Sequence, residues 1–189
     1  MKKKAILAII AIAIIVTVGA GSTLAYLVAM SPLVSNTFVV GKVNITLTET
    51  TGNSYKMTPG ATVAKDPQVT VKSGSEDCWL FVKVDGSAEL DSYISYELSD
   101  GWYPLSGYAG VYYRQVDETT ADTSYQILEN DSFTVKSSVD KSTLASITSA
   151  PKLTFTAYAI QALGIDTPVD AWSELQSSIT GVTVNEDKY

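Results

Sequence analysis

The sequence of 189 residues contains no histidine. Histidine is the commonest general base and the usual zinc ligand, and it activates the Ser and Cys nucleophiles of many hydrolases. Its absence excludes a zinc site of the HExxH type, which needs two imidazoles at helical spacing. No Gly-rich phosphate-binding motif is present either. We therefore predict that the protein is not an enzyme and has no catalytic residues, no metal and no cofactor.

Without histidine, carboxylates are the main side chains left for chemistry. A glycosidase can work with two carboxylates alone, and the candidates here are Glu76, Asp77, Asp117 and Glu118. Nothing in the sequence indicates that any two converge, so we interpret them as solvated loop acids. The oxygen-rich loops at residues 117–122 and 130–131 lack the spacing of an EF-hand, and no calcium site is assigned. A secreted hydrolase remains the least favoured alternative.

Cysteine occurs once, as Cys78. A single cysteine excludes a disulfide within the chain and leaves either a buried small apolar side chain or a link between molecules. We predict that Cys78 is buried.

Charge is missing from residue 5 to residue 41. Lys2, Lys3 and Lys4 precede an apolar run, and small residues lead into Ala25. This order is typical of an export signal over residues 1–25, and we predict cleavage between Ala25 and Tyr26. The run also approaches the roughly 17 to 25 apolar residues that span a bilayer, so an uncleaved anchor stays open as an alternative.

Basic residues are scarce in the remaining chain. Removing residues 1–25 takes away three of the 13 basic residues and none of the 20 acidic ones, which leaves a net charge of −10. An acidic surface repels nucleic-acid phosphates and offers no basic patch to anionic lipids. We expect no nucleic-acid partner, and contact with a membrane only through the signal segment.

Short runs of alternating apolar and polar residues, rich in Val, Thr and Tyr, fill the chain after the signal. Such alternation indicates half-buried antiparallel strands. The run at residues 78–85 begins with apolar side chains on both faces, so we predict a central strand covered on both sides. The other predicted strands are residues 43–48, 67–72, 93–98, 110–116, 131–135 and 153–160. The pattern predicts an all-β domain, a sandwich or jelly roll of antiparallel strands.

Helix signals are few. Thr167 suits the cap of a helix, Pro168 its first position and Asp170 its first turn, which predicts about two turns over residues 167–175. A second helical turn is predicted at residues 140–146, and turns at residues 59–60 and 74–77. Aromatic residues that could stack on a sugar are interpreted as ordinary strand composition: Trp102, Tyr103, Tyr108, Tyr112 and Tyr113.

Residues 26–36 form an apolar arm without any charge. Its apolar members include Tyr26, Leu27, Val28, Met30, Leu33 and Val34. A free apolar terminus would be an aggregation liability. Three interpretations stay open: the arm remains part of a membrane anchor, folds back into its own sheet, or inserts into a neighbouring subunit.

The order of these motifs resembles the TasA/camelysin family, whose exported members are processed by the dedicated signal peptidase SipW. At the N-terminus the similar segments are Lys2-Lys3-Lys4, Gly21-Ser22-Thr23-Leu24-Ala25-Tyr26 and Asn36-Thr37-Phe38-Val39-Val40-Gly41-Lys42. Further along, the similarity to the clostridial branch lies in Lys56-Met57-Thr58-Pro59-Gly60, Lys65-Asp66-Pro67, Asp77-Cys78-Trp79-Leu80-Phe81-Val82-Lys83-Val84, Gly101-Trp102-Tyr103-Pro104-Leu105, Val111-Tyr112-Tyr113-Arg114 and Ala157-Tyr158-Ala159-Ile160-Gln161-Ala162.

The resemblance implies a secreted jelly-roll subunit that polymerises into extracellular fibres of a biofilm matrix by donating its mature N-terminal strand. It implies a donor within residues 26–37, a β-sandwich domain over residues 38–189, and as partners other copies of the chain and other matrix proteins. Camelysin-like members are also labelled metalloendopeptidases. The missing histidines argue against that activity in this chain. A membrane-tethered adhesin or glycan-binding module is the alternative function.

Overall fold

A computed structural model describes residues 37–40, 42–51, 57–86, 90–140, 142–143, 147 and 152–179. These residues form mainly β-strands, which confirms the all-β prediction. The strands are β1 Thr37–Val40, β2 Ile45–Thr48, β3 Thr62–Ala64, β4 Gln68–Val71, β5 Cys78–Gly86, β6 Ile94–Ser95, β7 Tyr103–Pro104, β8 Val111–Val116, β9 Thr123–Gln126, β10 Ser132–Val135 and β11 Leu153–Gln161. The helices are α1 Leu90–Tyr93 and α2 Pro168–Ile179, with a 3-10 turn at Glu129–Asp131.

The strands form one large sheet and two small ones. The five-stranded sheet has the order β1-β11-β5-β8-β7, and the three-stranded sheets have the orders β3-β10-β6 and β2-β4-β9. Neighbouring strands are antiparallel except for β1 and β11, which run parallel. The jelly-roll connection of these sheets stays a prediction.

Strand β5 lies in the middle of the large sheet and is buried on both faces, as predicted. On one face, Leu80 and Val82 belong to the main core, together with Phe155 of the neighbouring β11 and with Val71 and Val135 from the two small sheets. On the other face, Trp79 and Phe81 pack in a second cluster with Trp172 and Leu175 of α2. The main core thus joins all three sheets, whereas the second cluster attaches the helix.

Helix α2 begins where the sequence predicts. The Asp170 N–H donates to Thr167 Oγ1 over 3.2 Å, and the Thr167 hydroxyl donates to Asp170 Oδ2 over 2.6 Å. Pro168 occupies the first helical position, where the missing N–H costs nothing. The prediction of two turns is wrong, because the helix continues to Ile179. The second predicted helical turn, at residues 140–146, lies partly outside the described residues. Within it, Ser142 and Thr143 are described and are helical.

The predicted strand at residues 93–98 is largely wrong. Leu90 and Tyr93 are both buried, and their spacing of three places them on one side of the short helix α1. Strand β6 therefore covers only Ile94–Ser95. Strand β9 is missing from the prediction because its sequence, TSYQ, has a single large apolar residue. The other predicted strands occur with ends shifted by a residue or two.

Arg114 lies between two aromatic rings at one end of the main core. Its guanidinium carbon is 4.1 Å from the centroid of the Tyr125 ring and 5.3 Å from that of Trp102. Burial lowers the pKa of Arg114, and the neighbouring tyrosines counteract that shift. A side chain at Gly101 would overlap the guanidinium, and the φ of Gly101 is +87°. Glycine at this position therefore leaves room for the cation.

Replacing Gly101 with Ala should destabilise the protein more than replacing Gly107 does. Both glycines have positive φ, where Ala costs about 1–2 kcal/mol, but nothing lies within 4 Å of a Cβ at Gly107. Gly101→Ala should cost about 1 kcal/mol more, because it displaces Arg114 from its rings. Urea unfolding followed by tryptophan fluorescence measures both variants. Equal losses would mean that the stacking of Arg114 contributes no stability.

Asp66 ties the end of β2 to the segment between β3 and β4. Its Oδ1 accepts the N–H groups of Thr50 and Thr51, each over 2.9 Å, and both threonine hydroxyls also donate to the carboxylate. Beside it, Lys65 Nζ lies 2.6 Å from Glu49 Oε1, with both side chains at most 4% exposed. Burial by itself would raise the pKa of Asp66, but the hydrogen bonds outweigh it and hold that pKa well below its usual range.

Replacing Asp66 with Asn should lower the free energy of unfolding at pH 7 by about 1 kcal/mol, a figure reduced for partial solvent exposure. The folded pKa lies below the unfolded value of about 3.9, so the ionised carboxylate stabilises the fold above that pH. This stability is lost as the pH falls through the folded pKa. The difference between wild type and Asp66→Asn should therefore shrink below about pH 4. Urea unfolding from pH 7 to pH 3 measures the difference in free energy of unfolding between wild type and Asp66→Asn, and a constant difference would contradict this role. Asp100→Asn, in an exposed turn, is the control.

Candidate assembly surface

The residues that the sequence predicts for cleavage and strand donation lie outside the described part of the chain. They are Ala25, Tyr26, Leu27, Val28, Met30, Leu33 and Val34. The structure does describe the point at which the arm joins the domain. Residue 36 precedes β1, so the arm enters at one edge of the large sheet.

Strand β1 pairs in parallel with the second half of β11. The register places Thr37 opposite Ala157 and Val40 opposite Ile160. On its other side, β11 pairs with β5 over its whole length, from Leu153 to Gln161. Among the described residues, residues 153–156 of β11 thus have a partner strand only on the β5 side.

This part of β11 belongs to the core. Leu153 and Phe155 are buried on the face that points into the main core, and Ala157 and Ala159 continue that face. Strand β5 pins the register of β11 by pairing Phe155 with Val84 and Leu153 with Gly86. Residues 153–156 are therefore held in place by their pairing with β5 and by the main core.

Aromatic side chains form a row across the other face of the large sheet. Tyr158, Phe81, Tyr113 and Tyr103 lie opposite one another on β11, β5, β8 and β7. Trp172 of α2 covers the row where its ring lies 5.1 Å from Tyr158 and 5.2 Å from Phe81, measured between centroids. Tyr103, at the far edge, is 59% exposed. The sequence marks these residues only as strand formers; the pairing register aligns them.

Three of the four candidate carboxylates line one groove. Glu76, Asp77 and Glu118 border an open groove of about 550 Å³ together with Asp166, whereas Asp117 is not among its lining residues. Asp77 accepts the Glu118 N–H over 2.6 Å, and Glu76 is 3.5 Å from the ammonium of Lys42. The carboxylates of Glu76 and Asp77 are thus engaged by neighbouring groups of the protein. Within the described residues, no three Asp, Glu, Cys or His side chains are grouped so that they could hold a metal ion.

The loops considered for calcium use their oxygens in hydrogen bonds. Asp122 accepts from the Ser73 N–H and from Lys72 Nζ, each over 2.9 Å. Asp131 Oδ2 accepts from Gln126 Nε2 over 2.8 Å. These bonds connect neighbouring strands and turns. Asp122 and Asp131 therefore have a structural role as hydrogen-bond acceptors.

Cys78 is fully buried, which confirms the prediction for the lone cysteine. Burial, aided by the negative charge of Asp77, raises the pKa of its thiol to about 12. A thiol that stays protonated and covered reacts slowly with oxidants and other thiols. In the folded protein, Cys78 acts as a small apolar core residue.

Within the described residues, no helix has both the length and the apolar character needed to cross a bilayer. No protein-family model, curated protein or solved structure matches the chain. The interpretation of the assembly surface therefore depends on its own geometry: an apolar arm that leads into β1, and the adjoining edge of β11.

Proposed function

We propose that this protein is an exported structural subunit of extracellular fibres or of a biofilm matrix. It polymerises when the mature N-terminal strand of one copy is donated to a neighbouring copy. The observation that carries this proposal is the junction of the uncharged arm with β1, at the edge of the large sheet. A sheet edge is a template for a further strand and an apolar segment needs a partner, so strand addition satisfies both.

Repetition of the same contact gives a filament. Donor and acceptor are different surfaces of one chain, so each copy that receives a strand still has its own to give. Such a head-to-tail contact extends indefinitely unless its rotation closes a ring. The arm of residues 26–36, at about 3.3 Å per residue, is about 36 Å long when extended, which suffices to reach into a neighbour.

The finer architecture belongs to the same proposal. The three sheets around one main core are compatible with a jelly-roll sandwich, in which strands pass between two layers. Residues 1–25 act as a signal peptide, removed by a dedicated signal peptidase after Ala25. The mature protein is then extracellular or at the cell surface, with other copies and other matrix proteins as its partners.

The protein acts as a scaffold in this proposal and carries out no chemistry. The missing histidines, the inert thiol and the engagement of the Glu76 and Asp77 carboxylates by neighbouring groups all favour a structural role. The net charge of −10 favours solubility before assembly and disfavours nucleic acid. No cofactor is required.

Deleting residues 26–36 should convert the exported protein into a soluble monomer, because the donated strand is lost. Negative-stain electron microscopy and light scattering compare this variant with the wild type, which should form filaments. Deleting the polar residues 185–189 is the control and should leave filaments intact. Filaments from the protein that lacks residues 26–36 would show that strand donation is wrong.

The alternative is a membrane-tethered adhesin or glycan-binding module that keeps its signal as an anchor. The exposed ring of Tyr103 beside Tyr113 is the feature that favours it, since exposed aromatic faces can stack on sugars.

N-terminal sequencing of the native protein separates the two functions. Donation requires a free mature terminus, so we expect the sequence to begin at Tyr26. A terminus at Met1 or Lys2 would instead favour the tethered form. The intact mass of the same sample provides an independent check.

A further inference from the structure

Arg114 is the only arginine in the chain. It lies on β8 opposite Leu80 of β5, and its guanidinium contacts the ring of Tyr125 on β9, the outer strand of a small sheet. The side chain is only partly buried, so solvent reaches it. The single guanidinium of the protein is therefore placed where two sheets meet and is accessible to other molecules.

Arg114 differs from the lysines in its ionic partners. Four lysines each have a carboxylate oxygen within 3.5 Å of the ammonium, namely Lys42, Lys65, Lys72 and Lys83. In the described part of the chain, the Arg114 guanidinium forms no ion pair and donates no hydrogen bond. Its five N–H donors form a rigid planar fork that matches the two oxygens of a carboxylate.

The surroundings of Arg114 hold the guanidinium in position. Trp102 is 7% exposed, and its indole N–H donates to the carbonyl of Gln126 over 2.7 Å, which ties this ring to β9. Tyr125 is fixed on the same strand by its pairing with Val69 of β4. Aromatic rings stack on the faces of a guanidinium and leave the N–H groups at its edge available. A cation that is ordered in advance loses less conformational entropy when a ligand binds.

We propose that Arg114, held between Trp102 and Tyr125, is a binding site for a carboxylate group. The guanidinium fork and a carboxylate form two parallel charge-assisted hydrogen bonds, which give both strength and a defined orientation. A phosphate monoester also matches the fork, but it carries about −1.5 to −2 charges and is repelled more strongly by a domain with a net charge of −10. A ligand with a single carboxylate is therefore favoured.

The carboxylate has two possible sources with the same chemistry. One is a free acidic molecule such as a sugar acid, and the other is an acidic side chain on a second copy of this chain. A contact between Arg114 and a second copy would offset part of the repulsion between acidic subunits. Neither source requires strand donation, so the inference goes beyond the proposed function and does not depend on it.

Chemical modification of the exported protein tests the site. Phenylglyoxal reacts selectively with guanidinium groups, and in a chain with one arginine the mass of the protein and a peptide map report on Arg114 alone. Saturating sodium galacturonate should slow the reaction of dilute protein at least about fivefold, because the reagent reaches only the unoccupied guanidinium. Galactose, which lacks the carboxylate, and sodium chloride at the same ionic strength should leave the rate unchanged.

The protein concentration separates the two sources. If a second copy provides the carboxylate, the reaction slows as the protein is concentrated and recovers on dilution. Slowing by galacturonate alone assigns the site to a free acid. An equal rate under all conditions overturns the proposal, and so does equal slowing by galactose or sodium chloride. An Arg114 that fails to react in dilute protein without ligand also overturns it, because the guanidinium is then inaccessible.

Variants of Arg114 provide the second measurement. Arg114→Gln should abolish the rise in melting temperature that galacturonate causes, or the self-association seen by light scattering where a second copy is the ligand. Arg114→Lys keeps a cation on the rings but cannot form two parallel hydrogen bonds, so its affinity should fall about tenfold. Lys42→Gln is the matched control, because it removes a cation whose side chain is 83% exposed. An equal loss in Lys42→Gln would show a general effect of charge and overturn the site.

Discussion

Strands β5 and β11 pair antiparallel over nine positions. The two faces of this strand pair carry the side chains of the two apolar clusters. On one face, Leu80, Val82 and Phe155 enter the core that joins the three sheets. On the other, Phe81 and Tyr158 support Trp172 and thereby α2. A strand covered on both faces needs apolar side chains at successive positions and neighbours along both edges to satisfy its backbone. Strand β8 pairs with the second edge of β5, whereas in the described part of the chain the second edge of β11 pairs only with the short β1.

The difference between these two edges connects the fold with its proposed role. Backbone groups at a sheet edge are a template for another strand, and proteins normally cover or interrupt such edges. Here the edge beside β1 adjoins an apolar arm that has no charge of its own to prevent association. In the proposed function, assembly satisfies the arm and the sheet edge together. The property that would be a liability in a monomer is, in that proposal, the basis of a polymer.

Carboxylates, abundant in this chain, act as acceptors for backbone N–H groups. Asp66 accepts the N–H groups of the turn after β2, Asp77 accepts the Glu118 N–H, and Asp122 accepts the Ser73 N–H. Hydrogen bonds to a charged acceptor are stronger than those between neutral groups. The acidic composition thus stabilises the irregular parts of a domain whose lone cysteine cannot form a disulfide within the chain.

Local patterns in the sequence determined β5, β11 and α2, because two-sided apolar character, alternation and a capping threonine act within a few residues. They also determined the absence of histidine chemistry and the apolar arm. The sequence did not indicate β9, whose polar strand exists because β4 pairs with it, or α1, where the burial of Leu90 and Tyr93 outweighs strand preference. Nor did it indicate that Glu76, Asp77 and Glu118 share a groove, or where the arm meets the domain. Register and convergence depend on contacts between residues far apart in the chain, and only the tertiary structure decides them.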